Sequence, residues 1–131
     1  MFTVAEDSME LGLGVHGEPG VRTIPRLDAH SLAGVILDEL LADAPKERGR
    51  KSGGLGQRSG STSCEELFVL YGAAAKLLEA AELKVENCEI SELVTSLDMT
   101  GCSLSLFWQD DEPADLYVTP AAAAGYRSGP R

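Results

Sequence analysis

A short alternating segment that runs into a glycine- and proline-rich turn constrains the fold of this chain most. Residues 9–15 alternate between apolar side chains and small or polar ones, which predicts a β-strand with one buried face. His16 follows at the end of this strand, on the face that Gly12 and Gly14 line. A ligand can therefore approach the imidazole over a surface without side chains, before the chain turns sharply through the sequence HGEPG.

Two amphipathic helices are predicted after this turn. The first begins at the N-cap Asp28, because apolar residues then recur at helical spacing, and it runs to about Ala42. The second begins at Ser63, which forms a capping box with Glu66. The second helix has one apolar stripe of about five turns, at Leu67, Leu70, Tyr71, Ala74, Leu77, Leu78 and Ala81.

Further alternating segments predict strands over residues 84–90 and 103–108, and a short strand over residues 2–4. Residues 110–112 are all acidic and predict a solvated turn, and residues 121–131 predict a frayed tail. The element order suggests an α/β or α+β arrangement. We interpret it as α/β, a partial mixed sheet of about four strands with two main helices.

The stretch 46–62 differs from the rest of the chain. Residues 46–63 hold five of the 11 Lys and Arg residues and have a net charge of +4. Because the whole chain has a charge of −10, the remaining residues have a net charge of −14. Leu55 is the large apolar residue among many Gly and Ser residues. This composition predicts a flexible basic linker.

Composition disfavours several classes of partner. The charge of −10 disfavours nucleic-acid binding and anionic membranes, and we expect no transmembrane span or secretory leader. Three cysteines without a CxxC pattern predict reduced thiols in a cytoplasmic protein, with no zinc site. His16 and His30 lack metal-ligand spacing, and no phosphate-binding loop motif is present, so we expect no metal and no cofactor on this chain.

The residues alone leave the roles of the candidate site open. A single histidine in a glycine-rich turn is usually structural or merely exposed. Glu18 can orient the turn or a substrate hydroxyl, and is equally well explained as a solvated or capping carboxylate. The polar loop 95–99 fits a ligand loop as well as a capped turn between strands.

Three segments resemble a known family. They read ELGLGVHGEPG over residues 10–20, STSCEEL over residues 61–67 and ELVTSLDMTGCSLSL over residues 92–106. The sequences of these segments and their order along the chain resemble the substrate-binding domain of dihydroxyacetone (glycerone) kinase. The resemblance covers nearly all of the chain except about residues 46–60, where that family has a buried strand that is lost here by our prediction. It matches only the final part of a longer domain, so we interpret residues 1–131 as the incomplete C-terminal fragment of that domain.

The resemblance implies a specific chemistry. His16 would be the catalytic residue that adds to the ketone carbon of dihydroxyacetone and forms a hemiaminal, with Gly14 and Glu18 as further substrate-binding residues. Phosphoryl transfer would then give glycerone phosphate. In this family ATP and its magnesium belong to a separate nucleotide-binding domain or subunit, and some members take phosphate from a phosphotransferase-system protein.

The resemblance also leaves alternatives. The histidine and aspartate that serve the family in proton transfer belong to an earlier part of the domain, so we expect this chain alone to be inactive. A non-catalytic carbonyl-binding or regulatory module is the second hypothesis, and a decayed gene product is the third. The family is typically dimeric, which makes a homodimer one option.

Overall fold

The computed structural model describes residues 3–14, 18–46, 51–91, 99–109 and 111–129, and of residues 51–60 and 111 it describes the backbone alone. Two strands form a hairpin and are followed by alternating helices and strands. The elements are β1 (Ser8–Leu11), β2 (Arg22–Pro25), α1 (Ala29–Ala42), β3 (Lys51–Gly60), α2 (Cys64–Ala80), β4 (Lys84–Ser91), β5 (Thr100–Trp108), α3 (Asp111–Tyr117), β6 (Ala121–Ala122) and β7 (Arg127–Ser128).

A three-stranded sheet with the order β4-β3-β5 forms the centre of the described fold. Strand β3 runs parallel to β4 and antiparallel to β5, so the sheet is mixed. The predicted α/β class with a partial mixed sheet is therefore confirmed, with the hairpin β1-β2 standing as a separate two-stranded sheet.

The stretch predicted as a linker contains the central strand of this sheet. Residues 51–60 pair with β4 on one side and with β5 on the other, so the prediction that the strand is lost is wrong. Glycine and serine have low strand propensity, but propensity depends on context. A strand between two neighbours is held by main-chain hydrogen bonds on both edges, which need no large side chains.

Both predicted helices are confirmed together with their caps. The Asp28 side chain accepts hydrogen bonds from the main-chain N–H groups of His30 and Ser31, at 2.9 and 3.0 Å. In α2, Ser63 Oγ accepts from the N–H of Glu66 at 3.2 Å, and the Glu66 carboxylate accepts from the N–H of Ser63 at 2.8 Å. These caps fix where each helix begins.

The core lies where α1 and α2 pack on each other and on one face of the sheet. The buried members of this cluster are Leu32, Ala33, Leu37, Leu70, Ala74, Leu78 and Leu83. Partly buried side chains from alternate positions of β5, namely Leu104, Leu106 and Trp108, pack against it as their spacing predicted.

Three local predictions need correction. Strand β1 ends at Leu11 rather than at residue 15, because Gly12 has φ of +72° and leaves the extended region. Residues 111 and 112, predicted as an acidic turn, begin α3, while residue 110 lies outside the described part. The predicted tail contains the short hairpin β6-β7, and Thr3 and Val4 form no strand.

Within the part of the chain that the structure describes, no helix is long and apolar enough to cross a membrane.

Candidate functional site

The candidate site lies on the loop that joins β1 to β2, residues 12–21. Gly14 and Glu18 are described, whereas the predicted nucleophile His16 lies outside the described residues, together with its two neighbours in sequence. Strands β1 and β2 pair antiparallel, and therefore the two ends of this loop lie side by side.

An outer hydrogen bond closes the base of the loop. The N–H of Val21 donates to the carbonyl oxygen of Leu11 at 2.7 Å. Directly above it, the left-handed backbone at Gly12 brings that residue so close to Val21 that a Cβ at position 12 would lie 2.8 Å from Val21 Cγ2. Any residue other than glycine at position 12 would thus meet both a strained dihedral angle and a steric overlap.

An inner hydrogen bond closes the loop again, nearer to its tip. The N–H of Gly14 donates to the carbonyl oxygen of Glu18 at 3.2 Å. This bond spans five residues, and His16 is the central one in sequence. The structure thus brings together Gly14 and Glu18, two of the three predicted site residues.

The surface over Gly14 is covered, contrary to the prediction of a path free of side chains. A Cβ at Gly14 would contact Glu18 Oε2, and it would lie 2.7 Å from Glu18 Cδ and 2.9 Å from Glu18 Cβ. The absence of a side chain at Gly14 therefore makes room for the Glu18 carboxylate, which folds back over the inner hydrogen bond. The strand alternation that suggested an open surface ends at Leu11.

Sequence reasoning missed three residues at the base of the same hairpin. Thr23 Oγ1 donates to Glu10 Oε2 at 2.7 Å across the two strands. A Cβ at Gly20 would lie 2.5 Å from Glu10 Cγ and 2.7 Å from the carbonyl oxygen of Leu11. Glu10 and Thr23 are paired in the strand register. The sequence could reveal this pair only if the length of the loop between the two strands were known.

The hairpin is attached to the helical layer through one apolar face and one ion pair. Met9 and Leu11 pack against the core cluster. Arg22 on β2 donates from Nη2 to Glu39 Oε1 of α1 at 2.7 Å, with both side chains about half exposed. These contacts place the hairpin next to α1.

A second concave region lies between β4 and the hairpin β6-β7. It is an open groove of about 410 Å³, lined by polar groups that include Glu89, Tyr126 and Arg127. The Tyr126 hydroxyl donates to Glu89 Oε2 at 2.9 Å, and this hydrogen bond raises the pKa of Tyr126 above its ordinary value. Burial, followed by the charge of Glu89, raises the pKa of Tyr117 on the same groove.

The described residues include no candidate metal site, and most of the second predicted loop lies outside them. No cluster of three or more His, Cys, Asp and Glu side chains that could hold a metal ion occurs among the described residues. Of the polar loop 95–99, the structure describes only Met99. Burial raises the pKa of the Cys102 thiol on the core side of β5, and this makes it a poor nucleophile.

Comparisons with known proteins give the same relationship for nearly the whole chain. The family model described as the Dak1 domain matches residues 1–125. D-Erythrulose kinase of Mycolicibacterium smegmatis is 40% identical over 129 residues, which are 98% of this chain and 22% of that protein. The dihydroxyacetone-binding subunit DhaK of the PTS-dependent dihydroxyacetone kinase of Lactococcus lactis is 30% identical over 111 residues, 85% of this chain and 33% of that protein.

A solved structure gives the same relationship for the fold. A chain from a structure on the regulation of the dha operon of Lactococcus lactis superposes with a TM-score of 0.85 at 30% identity, over 95% of this chain and 40% of that one. This chain therefore spans between about a fifth and two fifths of the length of the relatives it matches. The match to the family model and these relatives confirm the resemblance read from the sequence, and the chain belongs to the Dak1 domain family.

Proposed function

We propose that this chain is the ketose-binding part of a kinase, which holds dihydroxyacetone covalently through His16 and presents it for phosphorylation to glycerone phosphate. The observation on which the proposal depends is the hydrogen bond between Gly14 and Glu18, which closes a span with His16 at its centre. The family membership and the sequence ELGLGVHGEPG support the same role.

The proposed covalent step is an addition without a leaving group. A lone pair on one imidazole nitrogen of His16 forms a bond to the ketone carbon, and the π electrons of the carbonyl move onto its oxygen. The other ring nitrogen gives up its proton, which neutralises the new alkoxide. The product is a neutral hemiaminal that contains every atom of both reactants, and it can form near pH 7 because free imidazole is available there.

This chemistry explains why a kinase would use a histidine for binding. Only a carbonyl compound offers an electrophilic carbon, so the site would select a ketose over glycerol. The covalent bond would also fix the terminal hydroxyl in space, and phosphoryl transfer depends mainly on such positioning. We propose that the Glu18 carboxylate, which lies over Gly14, accepts a hydrogen bond from a substrate hydroxyl.

The phosphate donor would come from outside this chain. We propose that a nucleotide-binding kinase domain or subunit supplies ATP and magnesium, and that a general base is supplied by another part of the domain. General acid–base catalysis typically contributes about 10² to 10⁴-fold, so the chain alone should bind ketose without measurable phosphorylation.

The test is to observe the adduct directly. Dihydroxyacetone labelled with ¹³C at the carbonyl is titrated into the chain, and formation of the hemiaminal moves its carbon resonance from the ketone to the tetrahedral region. Intact mass should increase by one molecule of ketose. His16→Ala should abolish both signals, whereas the control His30→Ala should leave them unchanged, because His30 is exposed at the start of α1.

The result that would end this proposal is a wild-type chain that folds and shows no tetrahedral carbon at high ketose concentration. The same titration with erythrulose compares a four-carbon ketose with dihydroxyacetone. The reason to include it is that D-erythrulose kinase has a higher identity to this chain than the DhaK subunit.

A regulatory module that binds ketose without turning it over is the second candidate. The solved structure on regulation of the dha operon supports it, since this chain superposes on it with a TM-score of 0.85. The two are distinguished by adding ATP and a nucleotide-binding kinase subunit to this chain together with the remaining part of a Dak1 domain. Glycerone phosphate indicates the kinase, and a stable adduct without product indicates the regulator.

A further inference from the structure

We propose that Glu10 and Thr23 are positioning residues of the candidate site, through a hydrogen bond at the base of the hairpin that holds the returning arm of the loop, residues 18–20. This inference rests on the proposed function, because it assigns a role in holding the loop to which the proposed ketose-binding residue belongs. Neither residue would touch the reacting atoms.

The two residues are direct partners across the hairpin. Glu10 of β1 and Thr23 of β2 face each other in the register, and Thr23 Oγ1 donates to Glu10 Oε2 at 2.7 Å. A hydroxyl that donates to a carboxylate at this distance forms a charge-assisted bond, stronger than one between neutral groups. Their neighbours in β1, Met9 and Leu11, pack against the core, so alternation places Glu10 on the opposite face.

The Glu10 side chain also lies against the point where the loop rejoins β2. Its Cγ and Oε1 atoms both lie 2.5 Å from where a Cβ of Gly20 would be. Glu10 therefore contacts Thr23 with one oxygen and the backbone of Gly20 with the rest of its side chain. In this way the carboxylate connects the rigid strand pair with the returning arm of the loop.

The returning arm is short and stiff. Residue 19 is proline, whose ring fixes one backbone dihedral angle between Gly20 and Glu18. Glu18 in turn accepts the inner hydrogen bond from Gly14, and His16 is two residues from each of them in sequence. Gly20 is therefore joined to the acceptor of the inner hydrogen bond through one residue of restricted conformation.

The same bond has little reason to matter for folding as a whole. The pair is exposed to solvent, and exposed polar pairs across strands contribute little to global stability. A contact that barely affects unfolding but holds a loop against its strand is what a positioning role requires, and this separates the proposal from a purely structural role.

The experiment compares two substitutions at one residue in the full chain. Thr23→Val keeps the shape and the strand propensity but removes the hydroxyl donor, and Thr23→Ser keeps the donor. We expect Thr23→Val to weaken the equilibrium constant for the dihydroxyacetone adduct by about five- to tenfold, in keeping with the loss of one charge-assisted bond. Thr23→Ser should restore it, and all variants should unfold at the same temperature.

A second pair of variants guards against an effect of Thr23 alone. Glu10→Gln, with a weaker acceptor, should also weaken the adduct, whereas Glu79→Gln, which removes a charge from the exposed face of α2, should not. Adduct constants that are equal in wild type, Thr23→Val and Glu10→Gln would overturn this inference and leave the proposed function standing. The inference would also be overturned if the adduct constant fell in parallel with the unfolding temperature and Thr23→Ser failed to restore it. A wild-type chain without adduct would end both proposals.

Discussion

The helical layer and the hairpin are held together by different forces. In the helical layer, Ala33 and Ala74 are fully buried and Leu78 is 1% exposed, so apolar packing dominates. In the hairpin, Met9 and Leu11 are only partly buried, and the loop geometry depends on glycines and on hydrogen bonds exposed to water. Most of the apolar burial that stabilises the fold is thus in the helical layer, whereas the candidate site lies on the hairpin.

This division fits the proposed chemistry. A residue that forms and releases a covalent adduct must be reachable from solvent, which excludes it from a packed core. The hairpin obtains precision instead from backbone hydrogen bonds at two levels of the loop, at Leu11–Val21 and at Gly14–Glu18. Substitutions in the helical layer should therefore change stability, whereas substitutions in the hairpin should also change the formation of the ketose adduct.

The largest effect is expected from a truncation in the helical layer. Leu78→Ala removes a side chain that is 1% exposed, and it should lower the free energy of unfolding by about 2–5 kcal/mol. Chemical denaturation followed by circular dichroism measures this loss. The matched control is Leu116→Ala, since Leu116 is 66% exposed and should change stability by about 0.5 kcal/mol at most. Equal effects at the two leucines would contradict the location of the core.

The next effect is expected from a single methyl group in the hairpin. Gly20→Ala places a Cβ 2.5 Å from Glu10 Cγ and 2.7 Å from the carbonyl oxygen of Leu11, so the loop must shift. We expect a loss of about 1–3 kcal/mol in the free energy of unfolding, typical of overpacking, together with a weaker ketose adduct.

The control for this substitution is a glycine in the helical layer. Gly72 lies inside α2, and a Cβ there would meet nothing within 4 Å. Gly72→Ala should therefore increase the free energy of unfolding by about 0.5–1 kcal/mol, because alanine loses less backbone entropy in a helix. Changes of opposite sign in the free energy of unfolding at the two glycines would support the difference between the two regions. A Gly20→Ala variant that is more stable than wild type would contradict it.

The sequence predicted those features whose causes are local. The caps at Asp28 and Ser63 were recognised because cap and partner lie within three residues of each other. The buried face of β5 was recognised from the alternation of Leu104, Leu106 and Trp108. The caps involve residues close to each other in sequence. The apolar face of β5 needs only an apolar surface to pack against, so the sequence indicates it without knowledge of the partner.

The sequence failed where the cause is a distant partner. Strand β3 has the composition of a linker, and only pairing with β4 and β5 on both edges makes it a strand. The same reason explains the site. Gly14 and Glu18 are candidates by sequence, but the covering of Gly14 by the Glu18 carboxylate is a contact across the loop, which strand alternation cannot predict.

The smallest expected effect is a pH dependence that belongs to the helical layer alone. The N–H and the hydroxyl of Ser31 donate hydrogen bonds to the Asp28 carboxylate, and these bonds lower the pKa of Asp28 below its ordinary value of 3.8. Because the folded pKa is the lower one, this stabilisation is complete above pH 3.8 and disappears as pH falls through the folded pKa. In Asp28→Asn the cap still accepts hydrogen bonds but does not titrate, so its unfolding temperature should fall less on acidification than that of wild type. Ser31→Ala removes the hydroxyl, one of the two Ser31 donors. The decrease in its unfolding temperature on acidification should be intermediate between those of wild type and Asp28→Asn. Identical acid profiles for all three proteins would show that the cap does not contribute to acid sensitivity.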